Sequence, residues 1–181
     1  MKFFARFSSQ DLLYIAVMSA LGLAVKPIVT PLIHLISAPL MIPGGSLAGG
    51  FYMMWLILAA AIVNKPGAAF LVGFVQAVVM LSLGYFGNHG AVSLISYSLP
   101  GLAVELISFL FHKKESIFFH VLACTAANIS GAIVVTFLVM RLAPLPLIIS
   151  LLAAAVSGIF GGIISRSLHL KLLNHKIIKR H

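Results

Sequence analysis

Only three carboxylates occur in the 181 residues, Asp11, Glu105 and Glu115, and of these Glu105 alone falls inside a long apolar run. An acid so placed must be bonded or functional, because a bare charge in an apolar medium is costly. Glu105 follows Ser98 by seven positions and Gly101 by four, so the three share one helical stripe. Such a stripe suits a ligand-binding acid in a polar cavity, or a carboxylate bonded to a neighbouring helix. Gln76 and Asn128 lie near the middle of their runs. Amides there grip a polar ligand or join helices, at about 0.6 kcal/mol per bond. Tyr52 and Trp55, three apart, share a face. Tyr52 suits a membrane-interface belt, whereas Trp55 lies deeper and needs a partner for its indole N–H or a ring to stack on.

The stretch Gly84-Tyr85-Phe86-Gly87-Asn88-His89-Gly90 brackets an aromatic pair, an amide and an imidazole with three glycines. A loop of this kind can close over a cavity as a lid. Tyr97 belongs to the same end. The candidate substrate-binding residues are therefore Tyr52, Trp55, Gln76, Asn88, His89, Tyr97, Glu105 and Asn128. His34 and Lys26 are secondary candidates, and Lys26, just before Pro27, is expected at a kink where it can reach freed carbonyls. No catalytic pair and no metal or cofactor site is expected. His89 has no His, Cys or carboxylate at ligand spacing, Met53-Met54 reads as core, and Cys124 is the lone cysteine.

Apolar residues make up 61% of the chain and charged residues 8%, against roughly 25% charged in an ordinary soluble domain. That balance excludes a soluble enzyme and a disordered chain. The net charge of +9 lacks the basic, aromatic-interleaved patch of a nucleic-acid binder. An all-α integral membrane protein remains, one domain over 1–181. Six stretches can cross the bilayer, over about 11–36, 47–63, 67–86, 91–111, 117–140 and 145–168. The breaks are loop chemistry: Pro43-Gly44-Gly45, Asn64-Lys65-Pro66-Gly67, Gly87-Asn88-His89-Gly90, the charged turn His112-Lys113-Lys114-Glu115, and Pro144-Leu145-Pro146.

With the N-terminus inside, the inner segments hold Lys2, Arg6, Lys65, Lys113, Lys114, Arg166, Lys171, Lys176, Lys179 and Arg180, and the outer ones only Arg141. Ten against one places both termini in the cytoplasm by the positive-inside rule. The first span is read as retained rather than cleaved, starting at Ser8 or Ser9 with Asp11 in its first turn. The expected location is a bacterial or archaeal plasma membrane.

Small residues recur four apart on two spans. The first carries Ala16, Ala20 and Ala24. The last carries Ala153, Ser157, Gly161 and Ser165 beside Ala154, Gly158 and Gly162. Such stripes admit close helix approach; the last reads as packing within the bundle, the first as a docking face for a partner protein.

Taken together, these features resemble the substrate-binding S components of energy-coupling factor (ECF) transporters. The likeness rests on Ala16 and Ala20 as an Ala-x-x-x-Ala signature, and on a stretch over about 47–110. That stretch includes Trp55, Lys65-Pro66-Gly67-Ala68-Ala69, Gly87-Asn88 and Gly101-Leu102-Ala103-Val104-Glu105. It is most similar to the YkoE-type group, associated with thiamine or its pyrimidine precursor. The resemblance implies a six-helix vitamin receptor with an outward-facing site under loops. It further implies a transmembrane coupling protein docked at Ala16 and Ala20, and two cytosolic ATPase subunits. Gly73 and Met80 stand where that group has carboxylates, so only Glu105 is left to balance a cationic ligand.

The expected function is a non-enzymatic binding subunit for a small water-soluble vitamin or precursor. The alternative is an autonomous proton-coupled carrier that uses Glu105, although the chain lacks the internal repeat common in such carriers. A membrane enzyme would need an acid–base pair or a metal, and one buried carboxylate without a nearby histidine is poor equipment.

Overall fold

The computed structural model describes residues 6–39, 42–83, 90–111 and 113–178. Helix begins at Ser9 because Ser8 and Asp11 close a capping box: Ser8 Oγ accepts from Asp11 N at 3.2 Å and Asp11 accepts from Ser8 N at 2.7 Å. Lys65 pairs with the same carboxylate. Helix α1, Ser9–Ala24, gives way at Val25 to α2, Lys26–Ser37, with Pro27 in the first turn of α2 and Pro31 inside it. Each proline lacks an N–H, so the expected kink divides the first span into two helices.

Helix α3, Gly44–Val63, ends at Asn64 in a left-handed conformation (φ 51°), and Gly67 (φ 94°) opens α4, Ala68–Ser82. Helix α5 spans Ser93–Leu110 and α6 spans Ile117–Ile133, continued by a π-helical segment, Val134–Val139; α7 spans Pro144–Asn174. Five stretches, Ser9–Ser37, α3, α5, α6 with its π segment, and α7, are long and apolar enough to cross a membrane. The span expected over 67–86 is helical for 15 residues, or about 22 Å, less than the hydrocarbon depth of about 30 Å. By contrast α7 overruns its expected end at 168, reaching Asn174.

Helix α3 is apolar all round and lies at the centre, with Leu56 to Val63 buried throughout, as a helix without a polar face must. Outside it, Leu13, Leu106, Phe109, Phe160 and many other large apolar side chains are exposed, the surface a bilayer covers. Both stripes of α7 pack inward. A Cβ at Gly161 would fall on the backbone of Gly50, one at Gly158 2.5 Å from Thr125 Cα, and one at Gly162 2.5 Å from Val121 Cα. Ser157 Oγ donates to Leu47 O at 2.6 Å and accepts from Gly50 N at 3.0 Å. Ala16, Ala20 and Ala24 instead stand exposed on α1.

The two ends of the bundle differ in charge. Lys65 with Asp11, Lys114 and Glu115 with Arg166 gather at one end, where Tyr14 OH also donates to Ile177 O at 3.4 Å and brings the first and last helices together.

Candidate substrate cavity

At the opposite end, a cavity of about 650 Å³ lies between α2, α3, α5, α6 and the π segment. Its size suits a small organic molecule, for which sites run to about 300–1,000 Å³. The cavity lies beside α2, which is broken from α1, carries two prolines and meets α3 at Thr30 and Tyr52 and around Gly44. The π segment contributes Val135 and Val139 to the wall, and such wide turns recur at functional sites.

Lys26, the first residue of α2, projects into this space. Its Nζ lies 3.7 Å from the ring centroid of Tyr97 and 5.6 Å from that of Tyr52. Tyr52 OH shares a hydrogen bond of 2.9 Å with Thr30 Oγ1. Ser46, also on the wall, has a buried Oγ with no hydrogen-bond partner among the described residues. A lysine at the centre of a membrane helix costs about 2.5–3.5 kcal/mol, whereas a ring contact returns about 0.5–2 kcal/mol. The two rings return part of that cost, and Lys26 Nζ is left open to a polar group in the cavity. His34, Met53, Met80, Met140 and Ser96 complete the functional lining.

Of the residues expected from sequence, Tyr52, Tyr97 and Asn128 meet at this cavity. Asn128 plays both roles open to it: Nδ2 donates to Ala154 O at 2.8 Å and to Ser46 O at 3.3 Å, joining α6 to α7 and α3, while the side chain borders the cavity. Gly49 leaves the room for its carboxamide, since a Cβ there would lie 2.6 Å from Asn128 Cγ. Asn88 and His89 lie outside the described residues.

Three expected residues lie off the lining. Gln76 and Trp55 pack around Gly22 on α1, both side-chain nitrogens buried without a hydrogen-bond partner among the described residues. Glu105 faces α4: its Oε1 accepts from Ala69 N at 2.8 Å. The Ser98–Gly101–Glu105 stripe is real, but it is a helix seam. A Cβ at Gly101 would lie 2.7 Å from Ala69 O, and that close approach lets Glu105 reach the first turn of α4. Gly67 offers no side-chain cap there, so the neighbouring helix supplies the anion that a helix N-terminus favours. Nearby, Lys114 donates to Ala60 O at 3.3 Å; burial pushes its amine below the usual value, against the charge of Glu105.

Lys26 is also not at freed carbonyls, as its place before Pro27 suggests; it reaches across to α5. Its one legible signal was being the sole lysine within an apolar run. Thr30, Ser46 and Ser96 gave none, since hydroxyls are common within membrane helices. Among the described residues no group of three or more His, Cys, Asp or Glu could hold a metal ion.

The family model described as "ABC-type cobalt transport system, permease component" matches residues 10–131, about two thirds of the chain, including α1 to α5 and most of α6. No curated protein and no solved structure matches the chain.

Proposed function

We propose that this chain, which belongs to the family of permease components of ABC-type cobalt transport systems, is the substrate-binding subunit of an ATP-driven uptake transporter. Membership makes it a multi-pass membrane transport component of a system whose energy comes from partner ATPases; the chain itself has no Walker A sequence. The finer reading is an ECF-type S component for a small organic ligand of the vitamin class, thiamine or its pyrimidine precursor. The observation that supports it is the 650 Å³ cavity with Tyr52, Tyr97, Asn128 and Lys26 on its walls. By the charge asymmetry of the loops, the cavity end faces outward and ligand enters there. The exposed Ala16 and Ala20 offer the coupling protein a shallow groove on α1.

Between the two ligands the pyrimidine fits better, because no carboxylate lines the cavity to balance the thiazolium of thiamine. A bare cobalt ion has less support still, with one imidazole, His34, and thioethers as the described donors beside the amine of Lys26. The proton-carrier reading loses its proton site, since Glu105 is engaged with Ala69.

The test is mass spectrometry of small molecules that copurify with the detergent-solubilised chain, followed by calorimetric titration with hydroxymethylpyrimidine, thiamine and Co²⁺. An organic ligand that saturates at one per chain is expected. Saturable Co²⁺ binding with no organic ligand would overturn the vitamin reading and leave the transport family untouched.

A further inference from the structure

All three acids of the sequence belong to the end of the bundle away from the cavity. Asp11 pairs with Lys65, Glu105 caps Ala69, and Glu115 stands beside Arg166. Residues 84–89 add no acid, since they read Gly-Tyr-Phe-Gly-Asn-His. The half of the molecule around the cavity is thus without a carboxylate, yet it holds the Nζ of Lys26 over two tyrosine rings. That amine makes no hydrogen bond or ion pair with a described residue, and the Ser46 hydroxyl on the same lining is buried and unpartnered. A cation bound here would meet a like charge and no opposite one. An anion would supply the partner that Lys26 lacks.

We infer that the cavity takes an aromatic or heteroaromatic ligand bearing a phosphate or carboxylate group, whose negative charge pairs with Lys26 Nζ while its ring lies among Tyr52, Tyr97 and the methionines of the wall. This rests on the cavity being the transport site proposed above, and it selects the charge of the ligand, which that reading leaves open. The same electrostatics disfavours thiamine and divalent cations. An anionic lipid headgroup carries the same phosphate chemistry as a free ester, so the test separates the two.

The full-length protein in nanodiscs of phosphatidylcholine is titrated by calorimetry with hydroxymethylpyrimidine, its phosphate monoester and thiamine. The monoester should bind at least about thirtyfold more tightly than the neutral alcohol, the loss typical of removing one partner of a buried charge pair. Lys26→Met should erase that ratio, and Lys26→Arg should keep most of it. Because the ratio is first measured in the unaltered protein, a variant that fails to fold does not decide the outcome. Equal affinity for alcohol and ester, or tighter binding of thiamine, overturns the charge inference and leaves the cavity reading standing. No binding of any of the three overturns both. Loss of ester binding on adding phosphatidylglycerol to the nanodiscs keeps the anion site and assigns it to a lipid.

Discussion

Along α7 the helices meet backbone to backbone, whereas α2 meets α3 through side chains and borders a cavity. On the α7 side Gly50, Gly158, Gly161 and Gly162 bring main chains together with no room for a methyl group. Ser157 there bonds Leu47 O and Gly50 N, and Ser165 bonds His120 Nδ1 at 2.9 Å. On the α2 side Lys26 borders the cavity without a hydrogen bond to a described residue, and Ser46 Oγ on the same lining is buried without one. The two halves share α3 and Asn128. The contrast shows how one bundle is both rigid and receptive: close small-residue packing on one flank fixes the helix that forms the wall of a cavity on the other.

The largest effect should come from a methyl group added to each half. Gly161→Ala puts a Cβ on the Gly50 backbone, whereas at Gly45, on α3 near the cavity, a Cβ meets nothing within 4 Å. Alanine is worth up to about 1 kcal/mol over glycine in a helix interior, so Gly45→Ala should leave stability unchanged or raise it. Gly161→Ala should lower it by about 3 kcal/mol through overpacking. Thermal unfolding of both variants in one detergent checks this. Equal transitions would mean that the two flanks are packed alike.

Asn128→Ala should have the next largest effect, because this residue serves both halves. It strips the donor from Ala154 O and Ser46 O, at about 1–3 kcal/mol for buried groups left unpaired, and it removes an amide from the cavity wall. Melting temperature and ligand affinity should fall together. A lower melting temperature with unchanged affinity for the copurified ligand would assign Asn128 to the packed half alone.

The sequence showed the packed half better than the receptive one, for physical reasons. Small residues four apart on α7 can hardly do anything but pack closely, and both stripes do so. The helix start is local and legible as Ser8 or Ser9 with Asp11 in the first turn; the structure makes Ser8 the cap and closes a capping box with Asp11. Glu105 was harder. Its stripe with Ser98 and Gly101 is legible, but helical periodicity tells which residues share a face, never what the face meets. Lys26 is only a secondary candidate in the sequence, because Pro27 beside it offers a local explanation. Its actual neighbours, Tyr52 and Tyr97, are brought to it by tertiary packing. A lysine within an apolar run is costly enough to need partners, and these lie far from it in sequence.

Glu105→Gln should have the smallest effect, and it tests whether the one acid inside an apolar span belongs to the packing or to the ligand. The glutamine amide oxygen can still accept from Ala69 N, so the cap on α4 keeps its geometry and loses only its charge. A hydrogen bond to a charged group is worth about 1 kcal/mol more than one between neutral groups. Stability should therefore drop by about 1 kcal/mol, part of it through the lost attraction to Lys114. Glu105→Ala removes the acceptor as well, leaves Ala69 N without it, and should cost more. Ligand affinity in Glu105→Gln should stay within about twofold, the coupling expected between separate sites. Calorimetry on folded protein decides the matter. A tenfold loss of affinity with an unchanged melting temperature would return Glu105 to the ligand and undo the division between a charged, capped end and a carboxylate-free cavity.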